Sequence, residues 1–285
     1  MKKILISSIL LVCLLKPDEK IKKLIEAEHA FAKVAATKSM KDAFENYLDS
    51  TGIILNGNRF VNGLEAYKKV PADTTQLLLW YPTFVQRNDA GDFGFSTGPY
   101  HYYADKKAKP VASGFFFSIW KKNAKGDFKV LFDGGVNHSK PHGEVLGQQQ
   151  KKADQALLDA LSYHGTAPVK TAVTTALTDF EKEIATKDGV YKWASKSCVF
   201  LRPNEEMYNS PQSFSAKHEQ YNQHNFSFSE KGNGFSMAKD MYYQYGNLKL
   251  KQTDGTEKTS GYYMRVWQYQ QQGWAMVADV QQFKL

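Results

Sequence analysis

Apolar residues at Ile21, Leu24, Ile25, Phe31 and Val34 recur at helical spacing, and Pro17 and Asp18 suit the start of that helix. Ser39 can cap a second, short helix that runs through Leu48. The pattern then changes to that of strands: 53–55, a turn at Asn56-Gly57-Asn58, a short helical piece at 63–69, and a strand at 76–80. Three long strands follow at 93–103, 111–121 and 128–133, the last two joined by a turn at Gly126-Asp127. The second half follows suit, with a helix over 170–187, a short helix over 188–196 and a strand over 198–202. Further strands are expected near 223–229, 234–245, 259–270 and 274–283. Helices first and antiparallel strands after is an α+β order.

The likeness of the two halves extends to residues. Ala36-Thr37-Lys38 recurs as Ala185-Thr186-Lys187, and Phe31 as Phe180, both 149 positions on. Gly94-Phe95-Ser96 matches Gly234-Phe235-Ser236, and Tyr102-Tyr103 matches Tyr242-Tyr243, at an offset of 140; Met241 then stands opposite His101. Gly114-Phe115-Phe116 recurs as Gly261-Tyr262-Tyr263 and Trp120 as Trp267 at 147, and Asp133 as Asp279 at 146. The order is preserved throughout, so the chain reads as two copies of one domain, 17–136 and 167–285. A connector over 137–166 carries a polar, helix-prone stretch.

The long strands are apolar on both faces. Phe115, Phe117 and Ile119 point one way, Phe116 and Trp120 the other. One face covers the helices, and the second needs a partner to avoid an exposed apolar patch. The other copy is the obvious partner, which predicts a pseudo-dimer, sheet against sheet, within a chain that is otherwise monomeric.

Composition adds a compartment. Lys+Arg is 37 and Asp+Glu 29, a net charge of +8, but the lysines are scattered among acids and amides instead of forming a stripe, so no nucleic acid is expected as a partner. Lys2 and Lys3 followed by the apolar run 4–15 read as a secretory signal over 1–16, too short to span a bilayer as a helix. The alternative is a buried N-terminal strand or helix. Cys13 after Leu10-Leu11-Val12 is similar to a bacterial lipoprotein box, although Val12 stands where a small residue is usual; a lipid there would be the only membrane contact. The expectation is therefore an exported protein, periplasmic or secreted. Cys198 lies in the apolar run Cys198-Val199-Phe200-Leu201 and reads as a buried strand thiol, with no disulfide partner once the signal is removed.

The residues resemble a known family. Glu28-His29-Ala30-Phe31-Ala32 and Ala43-Phe44 resemble its helical opening. Trp80-Tyr81-Pro82, the run from Gly91 through Gly98, Gly114 to Lys121, Gly126-Asp127-Phe128-Lys129 and Asp133 resemble its sheet. The pattern is similar to the nuclear transport factor 2-like superfamily, near its SnoaL-like bacterial group of unknown function, in two tandem copies. The resemblance implies a cone in each copy: helices packed on a strongly bent antiparallel sheet, open at one end to a pocket. It implies no single activity, because that fold hosts enzymes, binders and protein-interaction modules.

Candidate chemistry is sparse. Gly94-Phe95-Ser96-Thr97-Gly98 matches G-x-S-x-G, but a strand continues where a nucleophile elbow needs a helix. His138 and His142 are four apart, a spacing that pairs ligands only on a helix, and Pro141 with Gly143 argues against one; His218 and His224 lack metal spacing, so neither a metal nor a cofactor is expected. Asp133 and His101 are the candidate catalytic groups: a carboxyl raised by apolar walls, or a histidine among tyrosines, could act as a base. Asp133, matched by Asp279 at a strand end, and Asp92 also read as turn or hydrogen-bonding residues. Trp80, Tyr81, His101 and Tyr103 are the candidate ligand-binding residues. The reading is a tandem cone-fold protein that binds a small apolar or aromatic molecule in copy one and uses copy two structurally. The alternatives are an isomerase, dehydratase or hydrolase using the pocket His or Asp, and a protein-interaction module at the cell surface.

Overall fold

The structure, a computed structural model, describes residues 19–139, 169–184, 189–217, 225–251 and 256–284. The signal with Cys13, most of the connector, and His142, His218 and His224 lie outside the described residues.

The first domain opens with α1 (Glu19–Thr37) and α2 (Met40–Tyr47). Ile21, Leu24, Ile25, Phe31, Ala32 and Ala35 form the buried stripe of α1, at the spacing that puts them on one face. The Ser39 hydroxyl accepts the Asp42 amide at 3.1 Å, so it caps α2 as its type and position predict. Then come β1 (Leu48–Asn56), β2 (Arg59–Asn62), α3 (Gly63–Lys68), β3 (Leu77–Trp80), β4 (Phe84–Arg87), β5 (Phe93–Tyr103), β6 (Ala112–Lys122) and β7 (Phe128–Asn137). They form one sheet in the order β2-β1-β7-β6-β5-β3, with β4 also paired to β5.

The second domain has α4 (Val173–Glu183), α5 (Gly189–Trp193), β8 (Ala194–Leu201), α6 (Pro211–Ser215), β9 (Asn225–Phe235), β10 (Met241–Lys251), β11 (Glu257–Gln270) and β12 (Gly273–Phe283). Its sheet order is β8-β12-β11-β10-β9, so β1, β7, β6 and β5 answer to β8, β12, β11 and β10. The expected α+β fold with helices on strongly curved sheets is present in both halves. The sheets are mixed, not wholly antiparallel: β1 runs parallel to β7 and β8 parallel to β12. The chain leaves β1, crosses to the far edge of the sheet and returns by hairpins, so the last strand arrives beside the first in the same direction.

Strand pairing corrects the offset of 140. Ser96 pairs with Ser118 and Ser118 with Asp133; in the second sheet Gln244 pairs with Arg265 and Arg265 with Asp279. Ser96 therefore answers to Gln244 and His101 to Lys249, an offset of 148. Gly234-Phe235-Ser236 instead ends β9 and opens the turn before β10, where Ser236 does what Asn88 does before β5. The Asn88 side chain accepts the amides of Gly91, Asp92 and Phe93, and Ser236 Oγ those of Asp240 and Met241. Turn chemistry, not strand identity, produced the look-alike triplet. Asp92 is a turn residue, accepting from Asn88 Nδ2 at 2.8 Å. Asp133 is not at a strand end, because β7 runs on through Gly134 and Gly135 to Asn137. Gly135 has φ 147°, and a Cβ there would lie 2.0 Å from the Phe115 carbonyl oxygen, so this glycine lets the strand continue instead of stopping it.

The second face of each sheet is covered by the other. Phe93, Phe95, Phe117, Ile119 and Phe132 share one apolar layer with Val199, Leu201, Met264, Val266 and Val280, all of them fully buried. Burying one such side chain contributes about 1.5–3 kcal/mol over leaving it in water, so this layer holds the two domains as one body. Phe117 and Ile119 face it, while Phe116 and Trp120 face the helices, as the alternation along β6 requires. Polar contacts rim the layer: Gln86 Nε2 donates to Gln268 Oε1 at 2.6 Å, and the Asn137 amide donates to Gln282 Oε1 at 2.6 Å.

Candidate functional site

The helix-facing side of the first sheet carries a polar row, Ser96, Ser118 and Asp133, on three adjacent strands. Glu28 of α1 comes down on it. Glu28 sits in the apolar stripe of its helix and is fully buried, the Leu24 and Phe31 turns lying on either side. Its Oε1 accepts the Trp80 indole N–H at 2.5 Å, and its Oε2 accepts the Trp120 indole N–H at 2.9 Å and the Ser96 hydroxyl. Burial pushes its carboxyl up, against the pull of these three donors.

Above this cluster a pocket of about 270 Å³ opens between the helices and the sheet. Phe31, Phe44, Leu78, Trp80 and Phe116 form its apolar wall; Tyr100, Asp133, Asn137 and Tyr262 supply its polar side. Exposed Gly57 and Asn137 mark the mouth. The Asp133 carboxyl accepts from Ser118 Oγ at 2.7 Å. Desolvation by its walls pushes it up to about 7, opposed by the Ser118 hydrogen bond and helped by nearby Glu28. The residue is half-buried, its carboxyl enclosed by protein but reached by solvent through the pocket.

Both phenols of the pocket have their protons committed. Tyr100 donates to Asn137 Oδ1 at 2.6 Å, and Tyr262 to the Gly135 carbonyl at 2.6 Å. Burial raises both, Tyr100 to about 12, so they stay neutral. Their oxygens and Asp133 therefore offer lone pairs to a ligand; among the described lining residues the remaining side-chain donor, Asn137 Nδ2, lies at the mouth.

Of the residues singled out in the sequence, Trp80 and Asp133 line this pocket. His101 does not: it follows Tyr100 in β5 and points to the opposite face, which Phe93 and Phe95 share, buried between Leu79 and Ser113 on the flanking strands. Tyr103 lies on that same face, and Tyr81, just past β3, is buried away from the pocket. Glu28, Ser118, Asn137 and Tyr262 were not anticipated. Glu28 had a readable signal, a carboxylate in register with an apolar helix stripe. Tyr262 had none, because it reaches the first pocket from the second domain.

The second domain fills the same place. Asp279, fully buried, is paired with Arg202 Nη2 at 2.6 Å and Arg265 Nε at 2.8 Å, and accepts from Gln281 Nε2 at 3.0 Å. The two guanidinium groups outweigh the cost of burial and hold this carboxyl below the usual range. Cys198 is buried beside it in β8, its thiol pushed well up by desolvation.

No family model matches the chain, and no curated protein matches it. Solved structures do. A conserved protein from Planctomyces limnophilus is 18% identical over 40% of this chain and 94% of its own, with a TM-score of 0.32. An NTF-2 like protein of unknown function from Shewanella oneidensis is 12% identical over 39% of this chain and 95% of its own, TM-score 0.33. An NTF2-like protein from Cytophaga hutchinsonii is 14% identical over 40% of this chain and 98% of its own, TM-score 0.30.

Proposed function

We propose that the first domain binds a small, largely apolar, ring-bearing molecule in the pocket between α1 and its sheet, and that the second domain, its own site closed by arginines, supports it structurally. Export goes with this reading, resting on the signal-like N-terminus. The observation that carries the binding role is the pairing of an aromatic wall with one open carboxyl in a pocket of about 270 Å³, room for one or two rings.

A second reading, acid–base catalysis, is favoured by one observation, that Asp133 faces the pocket with its carboxyl near 7. Binding is preferred over it because a base also needs a donor for the charge it generates. Tyr100 and Tyr262 donate elsewhere, and His101 is on the other face.

The test is an NMR titration of the full chain with one- and two-ring compounds, neutral, anionic and cationic, following the Trp80 indole N–H. Saturable shifts of that signal by members of the panel, lost in Leu78→Trp, are expected. No saturable shift from any compound would end the proposal.

A further inference from the structure

The two domains match position by position around their carboxylates. Trp80 pairs with Tyr100 as Phe228 pairs with Leu248, both 148 positions on. Phe31 sets its edge on Trp120 at 6.0 Å and 81°, and Phe180 on Trp267 at 5.1 Å and 79°. Phe116 and Tyr263 each stand two residues before the strand position that faces the aspartate, Ser118 in one domain and Arg265 in the other.

In the second domain the Arg265 guanidinium lies 4.9 Å from the Phe180 ring centre, 4.0 Å from Phe228 and 4.8 Å from Tyr263, with Nε on Asp279. It is a cation held by three aromatic faces and a carboxylate. In the first domain the same four positions are Phe31, Trp80, Phe116 and Asp133, and all four line the pocket. The arginine's place is taken by Ser118. Among the described residues that line the pocket there is no lysine, arginine or histidine.

We propose that the first-domain pocket takes an organic cation, a guanidinium or ammonium group on a small apolar body, seated where the second domain places its own arginine. This rests on the binding reading above and names its ligand class. The lone pairs of Tyr100 and Tyr262 and the Asp133 carboxylate accept the ligand's N–H groups, and the rings of Phe31, Trp80 and Phe116 face its charge. Among the described residues, the titratable groups facing Asp133 are Glu28 of α1, Tyr67 of α3, Tyr262 of β11 and, across the pocket, Tyr100 of β5. The phenols are neutral far above pH 7, so the acids alone set the pH dependence. The cation binds the ionised form of Asp133, so affinity falls as pH drops below about 7.

Calorimetry on the full chain with phenylguanidinium and its neutral isostere phenylurea tests this. At pH 8 the cation is expected to bind at least tenfold more tightly, with a smaller advantage at pH 6. Asp133→Asn should erase the preference, and Ser118→Arg, which gives the first domain the second domain's arginine, should fold and exclude the probe. Equal or tighter binding of phenylurea, or a preference that survives Asp133→Asn, overturns the cation assignment. If neutral rings alone move the Trp80 signal, the cation assignment falls and the binding role stands; if nothing does, both fall.

Discussion

Replacing Asp279 with alanine is expected to cost the second domain about 3–5 kcal/mol, the range for removing one partner of a buried ion pair. The substitution strands two guanidinium groups at once, on Arg202 and Arg265, each almost wholly buried. Arg202 keeps the carbonyl oxygens of Leu201 and Asp279 as acceptors, and Arg265 keeps its aromatic faces, so the loss falls on charge and not on packing. Urea melts followed by the near-ultraviolet signal measure it. Replacing all three with apolar residues, Arg202→Met, Arg265→Met and Asp279→Leu, should recover most of the loss, since ion pairs replaced as a set by well-packed apolar side chains are often neutral. The pH dependence has a defined sign. The folded-state pKa of Asp279 lies below its unfolded value of 3.8, so its contribution is present above about pH 4 and is lost as pH falls through the folded value.

Glu28→Ala is expected to cost about 3 kcal/mol through a different route. It orphans the Trp80 indole N–H and leaves a cavity under Phe31, and a buried donor without a partner costs about 1–3 kcal/mol before the cavity is counted. Trp120 is spared in part, because its indole also donates to Ser96 Oγ at 2.9 Å. Glu28→Gln keeps an oxygen for Trp80 but turns its N–H₂ toward the Trp120 indole N–H that Oε2 accepts, so it should cost about 1–2 kcal/mol, less than the alanine. Thermal unfolding of the two variants side by side measures the difference, which is the Trp80 hydrogen bond and the cavity. Glu28→Ala should also weaken binding in the pocket, since Glu28 fixes the Trp80 ring that forms its wall.

The architecture was legible in the sequence where it rests on local pattern. The stripe of α1, the Ser39 cap, the long strands of the first sheet and the two-faced apolar alternation of β6 each follow from spacing alone, and the alternation even required the sheet-to-sheet layer. The register of β10 was not legible, because Gly-Phe-Ser can sit inside a strand at Gly94 or at a turn entrance at Gly234, and only the hydrogen bonds of the turn tell them apart. The site was legible where it is local, as at Trp80 and Asp133. It was hidden where it depends on sheet face or on another domain. His101 and Tyr100 are neighbours in sequence, yet only Tyr100 faces the pocket. Tyr262 enters the site across an interface that no linear pattern records. The contrast between Ser118 and Arg265, which decides that one site is open and the other closed, is contained in the offset of 147, but its meaning emerges only where Arg265 is seen to reach Asp279 and three aromatic rings.

Following the side-chain carboxyl carbons of Asp133 and Asp279 by NMR through one pH titration of the full chain reads that contrast directly. Asp133 is expected to titrate near 7, so its contribution to stability is fully present below about pH 4 and is lost as pH rises through 7. Asp279 is expected to titrate below 3.8. Two carboxyls titrating together in the ordinary range would mean that neither is desolvated in an open pocket nor held by arginines, and the distinction between an open and a closed site would fall.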